Sequence, residues 1–324
     1  MVQQSNISNS CNKKCESQFH GDTEARKKEL IHVKNPHLER MPCDTLYHIH
    51  LGTEYQDLQA LFGDIKFVCM GGTPARMKEF AHFIKNEIGY IPPYGTTLED
   101  ISKLGHRYSM FKVGPVLSVS HGMGVPSIGI LLHEMIKLMY HAQVKDPVFF
   151  RIGTCGGIGI EGGNIVITSE ALNGYGEPNF DLPVLGKKMS RPAKLDSNLA
   201  MDLKNLTLPE DPWDTTIGKT MCADDFYEGQ GRLDGAFCEY SEADKIAYLT
   251  KLHKNGVRNI EMEAVIFGAL THHAGIRAAI VCVTLLNRLN GDQINSTKEE
   301  RDEWQARPQK LVSRYIKNQL NLSS

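Results

Sequence analysis

The chain has 324 residues, 41% of them hydrophobic and 23% charged, enough for a sizeable core in one large domain or two small ones. Lys plus Arg number 36 and Asp plus Glu 38, a near balance that offers no field for nucleic acid or an anionic membrane. The longest apolar run, AAIVCVTLL at 278–286, is too short to span a bilayer, and the opening MVQQSNISNSCNKKCES has no hydrophobic signal core, so a cytosolic protein is expected.

Residues 1–40 are polar and rich in Asn, Ser and Lys, and are read as a disordered extension before a single domain over 41–324. Strands and helices then alternate. IKFVCM reads as a strand closed by Gly71 and Gly72, with Thr73 as N-cap, Pro74 as first helical residue, and Met77, Phe80, Ile84 and Ile88 at helical spacing. PVLSVS is a second strand, closed by HGMG, and Pro126 opens a helix whose apolar face carries Ile128, Leu131, Leu132, Met135 and Leu138. PVFFRIG and NIVITSEAL are strands flanking a glycine-rich loop. SEADKIAYLTKLHKNG and EMEAVIFGALTHHAG are helices with glycine stops, AAIVCVTLLN is a buried strand, and STKEE opens the last helix with a capping box from Ser296 to Glu299. The alternation predicts an α/β fold with a largely buried sheet and no internal repeat.

Eight cysteines do not read as a disulfide framework, because Cys69, Cys155, Cys222 and Cys282 fall in strand-like or glycine-rich core segments. Cys11 and Cys15 with His20 lack a full ligand set, HEMIK at 133–137 is not H-E-x-x-H, and no metal site is expected.

The stretch RIGTCGGIG, 151–159, poses the functional question. It lacks the G-x-G-x-x-G spacing before a helix, and the P-loop lysine, so neither nucleotide motif fits. What remains is a nest of backbone N–H groups, the Thr154 hydroxyl and the Arg151 guanidinium. GGTPAR repeats the theme, with Gly72 at a strand end and Arg76 in a helix's first turn. Either alone reads as a tight turn beside a surface arginine; two in one α/β chain point to a phosphate pocket. In DFYEGQGRLDG, Gln230 and Arg232 share one side if the segment is extended, suited to a flat polar ring, with Phe226 as an aromatic wall. In NIEMEA, Glu261 and Glu263 bracket Met262 as a helix starts, and a carboxylate there suits paired sugar hydroxyls.

Together, FVCMGGTPARMKEF, RIGTCGGIG, TMCADDFYEGQGRLDG, RNIEMEA and VCVTLLNRLNGDQI closely resemble the nucleoside phosphorylase family, in its uridine phosphorylase branch, over residues 44–317. The resemblance implies a twisted mixed central sheet flanked by helices and an active site at a dimer interface, leaving dimer and hexamer open. It implies that Gly72, Arg76, Arg151 and Thr154 hold inorganic phosphate, joined by Arg107 of the neighbouring subunit. Glu263 would take the ribose 2′ and 3′ hydroxyls, Met262 would pack under the sugar, and His48 of the neighbour would reach the 5′ hydroxyl. Gln230 and Arg232 would read and stabilise the leaving uracil, with Phe226 on its face, Arg288 in support and Ile294 as an apolar lid. Small-molecule partners would be uridine, phosphate, uracil and ribose 1-phosphate, with no cofactor. Cys155 departs from the Ser or Thr usual in relatives and Ala264 from the usual Ser, and Cys155 beside the phosphate raises the prospect of sensitivity to oxidation or alkylation. Asn287 stands where purine-cleaving relatives carry an acid. A purine or methylthioadenosine phosphorylase, or a nucleoside-binding homologue without turnover, are the competing readings.

Overall fold

The computed structural model describes residues 31–322. In β3 (Phe67–Gly71), Val68 and Met70 enter one apolar cluster while Phe67 and Cys69 enter another. β6 (Val148–Gly157) and β12 (Arg277–Asn287) divide their side chains the same way: Phe149, Ile280 and Cys282 go to the first cluster and Phe150, Ile152 and Val281 to the second. Period-two side chains that are apolar on both sides demand cover on both faces.

Helices supply that cover. The chain runs through a short hairpin, β1 (Thr45–Leu46) and β2 (Leu51–Gly52), then α1 (Leu58–Phe62), β3 and α2 (Pro74–Glu87). After β4 (Met110–Val113) and β5 (Val116–Ser120) comes α3 (Gly124–His141), followed by β6 and β7 (Ile165–Leu172). A protruding hairpin, β8 (Asn179–Val184) and β9 (Lys187–Pro192), leads to α4 (Ser197–Asn205) and β10 (Thr215–Cys222). α5 (Glu242–Lys254), β11 (Val257–Glu261), α6 (Ala264–His273), β12 and α7 (Lys298–Gln319) complete the chain. α1, α3 and α6 cover one face of the sheet, α2, α4 and α7 the other, and α5 seals a third cluster with Met221, Val257 and Ile260.

The eight-stranded mixed sheet has the order β11-β10-β7-β12-β6-β3-β5-β4. It also curls on itself: Asn259 and Ile260 of the edge strand β11 pair antiparallel with Gly157 and Gly156 of β6. β6 is therefore shared. Its first half pairs with β3 as far as Met70 opposite Arg151, and its last residues pair with β11. The opening between the ends of β3 and β11, above the middle of β6, is where a crevice must form, as at strand-order switch points generally.

Local signals were honoured at α2, where the Thr73 side chain accepts the Arg76 N–H and Pro74 is the first helical residue. At α7 the capping box forms one residue later than expected, between Thr297 and Glu300, since STKEE satisfies the pattern in two frames. α3 starts at Gly124, two residues ahead of Pro126. Of the supposed extension, residues 31–40 are described, and Ile31 and Leu38 are buried. Cys11, Cys15 and His20 lie outside the described residues.

Candidate active site

The strand PVFFRIG does not end at Gly153: TCGG is strand, not loop, β6 continues to Gly157, and Gly153, Thr154 and Cys155 stand opposite Cys282, Val283 and Thr284 of β12. The glycines do not build an anion nest. They make room. A Cβ on Gly153 would lie 2.8 Å from Nη1 of Arg151, and one on Gly156 would lie 2.9 Å from Cγ of Arg288. The Arg151 guanidinium and the Arg288 stem thus lie close against a bare backbone, which is why the run is glycine-rich.

Arg151 is 3% exposed and sits between two carboxylates. Its Nη1 is 2.9 Å from Glu261 Oε2, and its Nη2 forms a short pair with Glu263 Oε2. Glu261 also caps α6, accepting the N–H of Glu263 at 3.0 Å and of Ala264 at 2.9 Å. Glu263 Oε1 accepts the N–H of Gly124 at 2.6 Å, at the start of α3. Burial raises the Glu261 carboxyl above its ordinary value, Arg151 offsetting only part of the shift. Burial opposes ionisation of Glu263 too, but Arg151 and the Gly124 N–H outweigh it and hold that carboxyl below its usual value.

Arg76, half-buried in the first turn of α2, donates from Nε to Thr73 Oγ1 at 3.2 Å. Among the described residues it enters no ion pair. Burial, and then Arg151 beside it, lower its pKa.

GQGR is not extended. Glu228–Gln230 form a 3₁₀ turn, and Gly231 takes φ +63°, a left-handed conformation that suits glycine. Gln230 and Arg232 still arrive together, but through a buried scaffold. Asp292 accepts from Arg288 Nε at 3.0 Å, from the Leu233 N–H at 3.0 Å, and pairs with Lys245 at 2.8 Å. Arg288 in turn donates to the Gln230 carbonyl at 2.9 Å. Arg232 binds Asp234 through Nε and Nη2 and donates from Nη2 to the Asp292 carbonyl. Its guanidinium lies 4.5 Å from the centre of the Phe226 ring, so Phe226 stacks on Arg232.

Most of these groups line one cavity of about 180 Å³, with Asp234, Lys245 and Asp292 outside its lining. Gly72, Arg76, Arg151 and Thr154 lie there with Met262, Glu263, Phe226, Gln230, Arg232, Arg288 and Ile294, as the sequence led us to expect. His48 and Arg107 do not reach it: His48 is half-buried against α3, and Arg107 is exposed. Asn287 does not face it either; its amide ties Gly159, Leu289 and Glu161 together. Sequence reasoning missed His121, Lys245 and Asp292, and gave Glu261 no role. Cys155 lines the cavity as a buried thiol pushed well above its usual pKa by burial.

Residues 66–317 match the model of the Phosphorylase superfamily. The chain is 52% identical to mouse uridine phosphorylase 2 over 91% of its own length and 92% of the relative's. The chain belongs to the uridine phosphorylase family. The crystal structure of Schistosoma mansoni uridine phosphorylase in complex with uracil superposes with a TM-score of 0.84 at 38% identity, over 90% of this chain and 100% of that one. A second Schistosoma mansoni relative, named inactive uridine phosphorylase B, is 37% identical over 88% of this chain and 95% of its own. Membership therefore fixes the fold and leaves turnover to the site residues. Among the described residues no helix is long and apolar enough to cross a membrane, and no group of three or more His, Cys, Asp or Glu is placed to hold a metal ion.

Proposed function

We propose that the chain catalyses the reversible phosphorolysis of uridine to uracil and ribose 1-phosphate. The observation that carries this reading is the sharing of one cavity by an arginine pair, a buried carboxylate and an amide–guanidinium pair. Phosphate carries roughly −1.5 to −2 charge near neutrality. Arg76, Arg151 and the Thr154 hydroxyl hold it as the nucleophile beneath the anomeric carbon. Glu263 accepts the 2′ and 3′ hydroxyls, and Met262 packs against the sugar. As the glycosidic bond stretches, the ribose becomes cationic and the uracil anionic. Gln230 and Arg232 donate to that anion, with Arg232 already oriented by Asp234 and Phe226. The bond to uracil breaks as the bond to phosphate forms, so neither a covalent enzyme intermediate nor a cofactor enters.

The charge balance favours a site shared between subunits. Arg151 is offset by two carboxylates, which leaves Arg76 as the main unpaired cation facing a dianion. Arg107, exposed and outside the lining of its own chain's cavity, is assigned to the partner's phosphate, and His48 to the partner's ribose 5′ hydroxyl. A two-fold dimer would deliver both.

The test is uracil release from uridine with and without phosphate, beside inosine and 5′-methylthioadenosine. Phosphate-dependent uracil release with slow purine release is expected. Glu261 and Glu263 are the carboxylates lining the cavity, and both are committed to Arg151, which leaves a departing purine without a free acid. The relative named inactive keeps open the alternative of a binding homologue. Uridine binding without any uracil release would establish that alternative.

A further inference from the structure

His121 follows β5 and is 1% exposed, yet neither of its ring nitrogens has a hydrogen-bond partner. Its backbone is fixed at both ends: the N–H donates to Gly71 O at 2.7 Å, and its carbonyl accepts the Ser127 hydroxyl at 2.7 Å. The side chain lines the same cavity as Arg76 and Arg151. A buried polar group without a partner is rare and costly in native proteins, and calls for a ligand that supplies the missing bond. The pairing of His121 with Gly71 places it at the junction of the ends of β3 and β5. Gly72 and the N-terminus of α2, which carries Arg76, lie at that corner; a Cβ on Gly72 would sit 3.5 Å from the Gly122 carbonyl.

We propose that His121 is a further phosphate-binding residue, donating one ring N–H to an oxygen of the phosphate held by Arg76 and Arg151. This rests on the phosphorolytic reading above and adds a ligand to it. Burial, reinforced by Arg151 and Arg76 and only partly countered by Glu263, pushes the imidazole pKa down to about 3, so the ring is neutral beside the two guanidiniums. A neutral ring has one N–H donor, enough for one phosphate oxygen, and adds no third positive charge beside two guanidiniums in the absence of the anion.

The test compares wild type, His121→Ala and His121→Asn. A hydrogen bond to a charged group predicts a rise of roughly tenfold to a hundredfold in the KM for phosphate in His121→Ala, with the KM for uridine at saturating phosphate changed less than about twofold. His121→Asn, whose amide can still donate, should recover part of the loss. To separate binding from misfolding, the His121 imidazole resonances of the wild type, assigned by their absence in His121→Asn, are followed in titrations. They should shift with inorganic phosphate alone and stay still with uracil alone. An unmoved resonance under phosphate, an unchanged phosphate KM in His121→Ala, or a shift produced by uridine without phosphate would overturn the assignment. A wild type that shows no phosphate-dependent cleavage would instead defeat the functional reading.

Discussion

Glu134 of α3 grips the His48 segment from three directions: its carboxylate accepts the Nδ1–H of His48 at 2.7 Å and the backbone N–H groups of His48 and Ile49 at 2.9 and 3.0 Å. One turn and two turns further along α3, Lys137 and His141 both hold Asp44 at 2.7 Å, so the same helix face clamps both ends of the segment. A carboxylate on Nδ1 fixes that nitrogen as the donor and leaves Nε2 to face outward as an acceptor. If His48 serves the partner's 5′ hydroxyl, Glu134 is its positioning residue. Glu134→Gln should raise the KM for uridine by roughly 5- to 30-fold, the worth of a misplaced hydrogen bond, and leave the KM for 5′-deoxyuridine unchanged. Steady-state kinetics on both substrates check this; equal losses on the two would reduce Glu134 to a scaffold residue.

Arg232 faces the group on which charge develops only as the bond breaks. Its removal should therefore lower kcat by about 10²–10³, in the range for a lost oxyanion donor, with the phosphate KM changed less than about threefold. Rates measured across both substrate concentrations in Arg232→Ala decide it. A mutant with unchanged kcat would move the charge-stabilising role elsewhere.

Gly153 tests the claim that the glycine run exists to seat arginines. Gly153→Ala would drive a methyl into the Arg151 guanidinium, 2.8 Å away, while Gly174→Ala meets nothing within 4 Å. The first should cost about 1–3 kcal/mol of stability by overpacking and weaken phosphate binding. The second should be silent in both. Thermal unfolding with phosphate titration reads the two effects together.

The same glycines show where the sequence is legible and where it misleads. Strand runs such as FVC and AAIVCV, and the Thr73–Pro74 helix start, carry their signals locally and came out in place. The sequence reads TCGG after the strand PVFFRIG as a loop because glycine is scarce in strands, and only the neighbouring arginine side chains explain its presence there. β10 and β11 were not recognised: TTIGKTMC carries a glycine and a lysine, and VRNIE an arginine and an asparagine. Asn259 is tolerated in β11 because Thr220 donates to its Oδ1 at 2.7 Å across the ladder. Nearly all the site residues were visible as motifs, but what holds them was not. Lys245 reaches Asp292 across 47 positions and Glu134 reaches His48 across 86, beyond any local pattern, although Asp292 also holds Arg288 only four positions away. His121 stood inside a motif read as a turn, and Asn287 inside one read as facing the base.

Cys155 lines the cavity but should resist alkylation. Its thiol is buried, pushed well above its usual pKa by burial, and donates to the Val283 carbonyl at 3.4 Å. The reactive form is the thiolate, so at pH 7 iodoacetamide should leave Cys155 unmodified while labelling the exposed Cys238. Peptide mass spectrometry locates the adducts, and activity should persist in the labelled enzyme. An adduct on Cys155 in the folded protein would contradict the burial seen here.

If active sites are shared, two inactive variants should rescue each other. Arg151 acts within its own chain's cavity, where it meets Glu261 and Glu263, whereas Arg107 is exposed and does not line that cavity. Arg107→Ala and Arg151→Ala homodimers should both be nearly inactive, each lacking one guanidinium at every site. Refolding an equal mixture gives about half heterodimers. In a heterodimer, one site receives both defects and the other receives neither, since the chain with intact Arg151 is served by the chain with intact Arg107. One working site in two across half the molecules returns about a quarter of wild-type activity. Native mass spectrometry of the mixture counts the heterodimers, and the phosphate-dependent rate is measured on the same sample. Heterodimers at the expected fraction with no regained activity, or an Arg107→Ala homodimer of full activity, would place the whole site within one chain.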